Sequence, residues 1–152
     1  MNKNKKILLI GGTGYIGTVL YTYLKKKGYV VSSIDNQVYG KKVFSKGFKK
    51  NYNKYKSFLN FKSIEKDLRN TDYVVFLAGL VGDPITAKYP VMSNLINDKG
   101  SIEFLKFIGS FKIKKLLYIS TCSNYGLSKS KKKLNEKSIL KPLSLYAKSK
   151  VD

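Results

Sequence analysis

The chain has 152 residues, enough for one domain with a real core and not obviously for two. One cysteine and no histidine exclude an internal disulfide and argue against a zinc site. The net charge of +21 invites a nucleic-acid reading, but Arg69 is the lone arginine and lysines run through every segment, so the charge reads as solvated surface rather than a base- or phosphate-reading face.

Residues 1–6 are basic and precede an apolar stretch, as in a signal peptide. Ile7 to Ile10 is too short for that role, and glycines follow at once. No apolar run approaches the ~20 residues that cross a bilayer. The expected location is cytoplasmic, with no membrane partner.

Residues 5–11 read as a first buried strand. Glycines at 11, 14 and 17 then open a helix over 14–27, with Ile16, Val19, Leu20, Tyr23 and Leu24 at helical spacing. Lys25 to Lys27 suit its last turn and Gly28 can close it. Residues 29–34 form a second strand ending at Asp35. Residues 36–60 show no clean period. Their aromatics (Tyr39, Phe44, Phe48, Tyr52, Tyr55, Phe58) interleave with lysines, a pattern that can bind single strands. A long surface connection whose aromatics partly pack on the core is favoured over that.

Residues 61–64 read as a third strand, and 73–78, continuously apolar, as a fourth of the parallel, two-sided kind. Residues 84–90 read as a Pro-bounded loop and 91–111 as helix. Residues 115–120 are the fifth strand, 127–141 a lysine-rich loop, and 143–152 the start of a helix. Strands alternating with helices make an α/β doubly wound parallel sheet of Rossmann type. The site is expected at the carboxyl ends of its strands.

Three constellations carry chemistry. In the first, Gly11 permits a tight turn, Gly14 lets the backbone approach a pyrophosphate, and Gly17 lets the helix pack on the sheet. The helix N-terminus then holds the anion. Asp35, 18 residues after Gly17, is placed to bond ribose hydroxyls, which favours NAD over NADP. In the second, Tyr146 and Lys150 share a helix face at i and i+4. A tyrosine with a pKa near ~10 is a poor base at neutral pH, and a neighbouring ammonium together with a positive nicotinamide ring would favour its phenolate. The pattern alone is weak: Tyr21 with Lys25 and Tyr52 with Lys56 match it by chance. The third is Ser120-Thr-Cys-Ser-Asn-Tyr-Gly126, directly after the fifth strand, where a hydroxyl could bond a substrate oxygen. Cys122 reads as a filler, since no histidine exists to activate it.

Taken together, Gly-Gly-Thr-Gly-Tyr-Ile-Gly, Asp35-Asn36, Asp67-Leu68-Arg69, Leu77-Ala78-Gly79-Leu80, Val81-Gly82-Asp83-Pro84, Asn97-x-x-Gly100, the Ser120–Gly126 run and Tyr146-x-x-x-Lys150 follow one another in a familiar order. In this the chain resembles the extended short-chain dehydrogenase/reductase family, in its NAD-dependent nucleotide-sugar epimerase/dehydratase branch. The resemblance implies that Tyr15 and Ile16 flank the pyrophosphate and that Asp35 and Asn36 hold the adenosine ribose. It implies that Asp67 and Leu68 border the adenine, that Leu77, Ala78, Gly79 and Leu80 line the cofactor, and that Asn97 lies near it. Thr121 would steady the substrate oxygen, Tyr146 would be the base, and Lys150 would tune it and bind the nicotinamide ribose.

Two departures sharpen the expectation. Dehydratases of the family carry an Asp-Glu pair after the triad threonine, where this chain has Cys122 and Ser123, so epimerisation through a transient keto sugar is favoured. The family also continues into further strands and a substrate domain. Residues 1–152 are therefore expected to be the NAD-binding Rossmann portion of a nucleotide-sugar epimerase, incomplete at its carboxyl end. A homodimer stays open for a full-length form. The alternatives are a non-catalytic NAD-binding module and a basic nucleic-acid-binding protein.

Overall fold

Apolar residues on both faces of a short strand call for a layer on either side, and the computed structural model shows that arrangement. It describes residues 4–38, 53–127 and 133–151. Five parallel strands form one sheet in the order β3-β2-β1-β4-β5, namely β1 Lys6–Ile10, β2 Val30–Ile34, β3 Asn53–Lys54, β4 Tyr73–Phe76 and β5 Lys115–Tyr118. The central strand sets the register: Leu8 faces Ser32 on one side and Val74 on the other. The doubly wound parallel fold read from the sequence is the one observed.

The chain divides into two compact units. The first comprises Met1–Ala78 and Glu103–Ile119, and the second Gly79–Ile102 and Ser120–Asp152. In the first, Ile7, Leu9, Val31 and Val75 make a buried cluster on one sheet face, covered by Leu20, Tyr21 and Leu24 of α1 (Tyr15–Lys26). Strand alternation sends Phe76 to the other face. There its ring lies 5.1 Å from that of Phe104, and Phe58 meets both edge-on at 5.2 and 5.6 Å. Each such aromatic pair contributes about 0.5–1.5 kcal/mol beyond its burial. Phe58 thus meets the expectation that aromatics of the 36–60 connection pack on the core. Tyr39, Phe44, Phe48 and Tyr52 lie outside the described residues.

Residues 61–64 are not a strand. They open α2, Phe61–Arg69. Asn60 caps that helix, its side chain accepting from Ser63 N at 3.2 Å. Ile64 and Leu68, one turn apart, are buried, and Phe61 stacks on Phe107 at 4.6 Å. The true third strand is the two-residue β3, tied to β2 where Ser33 Oγ donates to Asn53 Oδ1 at 2.9 Å.

In the second unit the expected Pro-bounded loop is also helical. It forms α3, Asp83–Lys88, with Pro84 in the first turn, where a missing N–H costs nothing. Residues 90–108 are then helical throughout: α4 Pro90–Ser93, a π-helical turn Asn94–Lys99, and α5 Gly100–Ile108, whose residues from Glu103 on belong to the first unit. A 3-10 turn, Cys122–Tyr125, and α6, Leu145–Lys148, complete it. Many of its buried positions are small and polar: Thr86, Ser93, Asn97, Ser101 and Asn124. Of the lysine-rich loop, residues 128–132 lie outside the described residues.

Candidate functional site

The glycine turn comes directly off β1 in the first unit. Gly11 has φ +82°, and a Cβ there would stand 2.6 Å from Ala78 N, so both the turn and the close approach of the β4 tail require glycine. A Cβ on Gly17 would stand 2.6 Å from Gly12 Cα, so α1 can sit on the turn only without one. Gly14 differs. Its φ is −71°, and the nearest atom to an added Cβ is Gly11 O at 3.5 Å. Nothing inside the protein demands glycine at 14, which is what a position kept open for a ligand would show. No side chain caps the N-terminus of α1, leaving backbone donors and the dipole facing outward. Tyr15 and Ile16 are exposed beside it.

Asp35 is tied to this turn. Its Oδ2 accepts from Thr13 N at 3.0 Å and its Oδ1 from Gln37 N at 2.7 Å, a residue at φ +55°. Its backbone joins β3: Asp35 N donates to Lys54 O at 3.3 Å, and Asn53 Nδ2 donates to Asp35 O at 3.2 Å. Each carboxylate oxygen keeps a lone pair for a ribose hydroxyl. Asn36 is exposed next to it. The turn, the open Gly14 and Asp35 fit the adenosine diphosphate half of NAD.

Asp67 and Leu68 lie one after the other on α2. Leu68 is buried in the core from α2. The Asp67 carboxylate receives Lys54 Nζ and, at 2.9 Å, Lys56 Nζ. Burial pushes its pKa up, but the two lysines more than offset this and hold it below the ordinary carboxylate value. The stretch that leaves the carboxyl end of β3 beside Asp35 begins at Tyr55, which is exposed. Nothing in the sequence marked β3 itself, because a two-residue strand has no apolar signature.

Leu77 N donates to Ile10 O at 2.8 Å and Ala78 abuts Gly11, so the tail of β4 runs alongside the glycine turn. In the second unit Gly79 and Leu80 continue that tail. Leu80 is buried, and both its peptide groups bond the side chain of Asn97.

The second unit also carries the three residues expected to act on substrate. Thr121 is extended and caps the 3-10 turn, its Oγ1 accepting from Ser123 N at 3.2 Å. The hydroxyl hydrogen remains to be donated. Asn124, which the sequence reading gave no role, braces this turn: Nδ2 donates to Ser120 Oγ at 3.0 Å, and its backbone carbonyl accepts from Lys141 N at 2.8 Å. Helix α6 packs against the 3-10 turn and α3. Ser144 caps α6 by accepting from Ala147 N at 3.1 Å. Backbone bonds from Lys150 N to Ala147 O and from Val151 N to Lys148 O carry the winding past Lys148. Tyr146 and Lys150 therefore share a face, with Lys150 Nζ 5.8 Å from the centroid of the tyrosine ring.

Burial dominates the titration of both groups. It pushes the Tyr146 phenol up and the Lys150 ammonium down to about 8. The expected lowering of Tyr146 is thus not a property of the chain by itself, in which burial sets the direction. Among the described residues no group of three or more His, Cys, Asp or Glu could hold a metal ion, and no helix is long and apolar enough to cross a membrane.

Comparison with known proteins identifies the family. The model of the NAD dependent epimerase/dehydratase family matches residues 7–151. Protein CapI of Staphylococcus aureus is 30% identical over 158 residues, covering 95% of this chain and 46% of its own length. The UDP-N-acetylglucosamine 4-epimerase of Methanobrevibacter ruminantium, solved with UDP-N-acetylmuramic acid, superposes with a TM-score of 0.84 at 27% identity, over 98% of this chain and 48% of that one. The UDP-glucose 4-epimerase of Thermotoga maritima, solved with UDP-glucose, gives 0.83 at 27%, over 96% and 48%. The chain spans about half the length of the curated relatives it matches. With the glycine turn, the tyrosine–lysine pair and a family model that covers nearly every residue, the chain belongs to the NAD dependent epimerase/dehydratase family.

Proposed function

We propose that this chain is the cofactor-binding portion of an NAD-dependent enzyme that epimerises a nucleotide sugar through a transient keto sugar. The observation that carries the reading is the pairing of Tyr146 with Lys150 on one face of a helix packed against the turn that Thr121 caps. In this reading the cofactor, when bound, supplies the acceptor and later the donor of a hydride at the sugar carbon. Tyr146, as phenolate, takes the proton of the sugar hydroxyl, and that oxygen becomes the carbonyl. The Thr121 hydroxyl donates to the same oxygen. Lys150, cationic below about pH 8, sits where its charge favours the phenolate against the opposing effect of burial. When the carbonyl is reduced from its other face, Tyr146 returns the proton. Gly14, Tyr15, Ile16 and Gly17 hold the pyrophosphate, Asp35 and Asn36 the adenosine ribose, and Leu77 to Leu80 the flank of the dinucleotide.

Cys122 and Ser123 provide no carboxylic acid or carboxylate beside Thr121, which favours epimerisation over dehydration. A second reading, a non-catalytic NAD-binding module, draws on the upward push on Tyr146. The test is titration calorimetry with NAD, followed, for a full-length form of the protein, by incubation with NAD and UDP-glucose or UDP-N-acetylglucosamine and chromatography of the products. The enzyme reading expects NAD binding and a 4-epimer whose formation Tyr146→Phe abolishes. NAD binding with product formation indifferent to Tyr146→Phe would sink the assigned base.

A further inference from the structure

Asn97 is fully buried, and its amide is directed at one neighbour. Oδ1 accepts from Leu80 N at 2.7 Å, and Nδ2 donates to Leu80 O at 2.8 Å and to Ser93 Oγ at 3.2 Å. A side chain that bonds both the N–H and the C=O of one residue acts as a substitute for a neighbouring strand. It does so just past β4, where Gly79 and Leu80 have left the ladder. The fit is close, since a Cβ on Gly79 would stand 3.1 Å from Asn97 Oδ1. Asn97 is carried on the π-helical turn Asn94–Lys99. Such a turn is rarer and less stable than α-helix, and persists where it delivers something.

We propose that Asn97 is a positioning residue for the dinucleotide: its amide fixes the Gly79–Leu80 backbone in one conformation, and the π-helical turn brings the amide there. This rests on the reading that residues 77–80 flank NAD. Both Nδ2 hydrogens are used within the protein, so Asn97 acts through Leu80 rather than by donating to the ligand.

The test pairs amide hydrogen exchange at Leu80, in the chain without ligand, with NAD affinity by calorimetry. Asn97→Asp keeps the size, removes the donor and sets an oxygen against Leu80 O. It is expected to speed Leu80 exchange and weaken NAD binding, each by about tenfold, the cost of leaving one buried carbonyl without its donor. Gly79→Ala keeps Asn97 but crowds it off Leu80, and is expected to move both readouts the same way even if Asn97→Asp fails to fold. Thr71→Val removes a part-buried hydrogen bond to Asp67 O after the end of α2, away from Asn97, and is expected to leave both unchanged, which a general loss of stability would not. Unchanged Leu80 exchange in Asn97→Asp overturns the proposal, as does faster exchange with unaltered NAD affinity. If the unsubstituted chain binds no NAD, the functional reading falls, and Leu80 exchange alone decides whether Asn97 holds this segment.

Discussion

Lys150 Nζ lies 5.8 Å from the centroid of the Tyr146 ring, one turn along the same helical face. Their titrations are pushed in opposite directions by one cause, burial. The tyrosine is held neutral to higher pH, and the lysine gives up its proton at lower pH. In the unliganded chain the pair therefore rests as phenol and ammonium at neutral pH.

That arrangement makes stability depend on pH in a defined window. The folded chain releases the Lys150 proton at about 8, whereas the unfolded chain holds it to the ordinary lysine value of 10.5. Between those values the unfolded state binds more protons, so this lysine makes stability rise with pH. Below about 8 the penalty for the buried charge is present in full. Lys150→Met removes the penalty, so the variant is expected to be more stable than the parent at pH 7 and to lose that advantage by pH 10.5. Urea midpoints at a series of pH values, compared between the two, check this. A constant difference across the series would show that Lys150 is solvated.

Gly14 and Gly17 separate ligand from fold. Gly17→Ala forces a Cβ to within 2.6 Å of Gly12 Cα and is expected to cost about 1–3 kcal/mol, the usual size of an overpacking penalty. Gly14→Ala meets nothing closer than 3.5 Å at a φ of −71°. Its gain from restricting the unfolded chain, about 0.4–1 kcal/mol, is opposed by a similar cost of alanine at the helix N-cap, so stability is expected to change by less than about 1 kcal/mol while NAD binding weakens. Urea unfolding and calorimetry read the two effects apart. Equal NAD affinity in Gly14→Ala and the parent would take the pyrophosphate away from this turn.

The Asp67 cluster predicts an acid effect. The pKa of Asp67 is held below that of an unfolded carboxylate by Lys54 and Lys56, so its contribution is present above about pH 4 and lost as pH falls through the lower folded value. The lysines are partly exposed, with side chains 51% and 31% accessible, so both rehydrate when the carboxylate is removed. Asp67→Asn is therefore expected to cost about 1–3 kcal/mol, the range for hydrogen bonds to a charged group, rather than the larger penalty of a fully buried pair. The variant should also show a shallower loss of stability below pH 4. Parallel acid titrations followed by circular dichroism measure it.

These contrasts also show what could be read before folding. Ile7 to Gly17 was legible because much of its signal is local: four apolar residues in a row, a tight turn with Gly11 at φ +82°, and Gly17 packed on Gly12, although the approach of Ala78 to Gly11 is long-range. That Tyr146 and Lys150 approach each other was legible because helical winding brings i and i+4 together, although the same spacing at Tyr21 and Lys25 shows that spacing by itself does not mark a site. The apolar residues of 61–64 misled, since so short a run fits a strand or a helix turn. What decides it is long-range, the seat of Ile64 and Leu68 in the core and the stack of Phe61 on Phe107. β3 has only Asn53 and Lys54, and its place in the sheet comes from hydrogen bonds to Ser33 and Asp35. The pairing of Asp67 with lysines 13 and 11 residues earlier depends on that same long-range placement. The π-helical turn at Asn97 has no local signal either, since its reason lies in the backbone of Leu80.

Asp35 unites two roles that one substitution series can divide. Its carboxylate accepts from Thr13 N at 3.0 Å and from Gln37 N at 2.7 Å, bracing the glycine turn on one side and the exit from β2 on the other. Asp35→Asn leaves one of those backbone donors facing an NH2 group, because an amide has a single acceptor oxygen. The expected cost is about 1–3 kcal/mol, the penalty for a part-buried donor left unpaired. Asp35→Glu keeps the charge but lengthens the arm, so one carboxylate can no longer span both donors at their present distances. Both variants should weaken NAD, Asp35→Asn the more, since it also loses the charge that attracts the ribose hydroxyls. The charge is also what should turn away a 2′-phosphate. Of the two, Asp35→Asn alone is therefore expected to narrow the preference for NAD over NADP. Calorimetry with both dinucleotides reads the ratio, and an unchanged ratio in Asp35→Asn would remove Asp35 from cofactor choice and leave it as a brace for the turn.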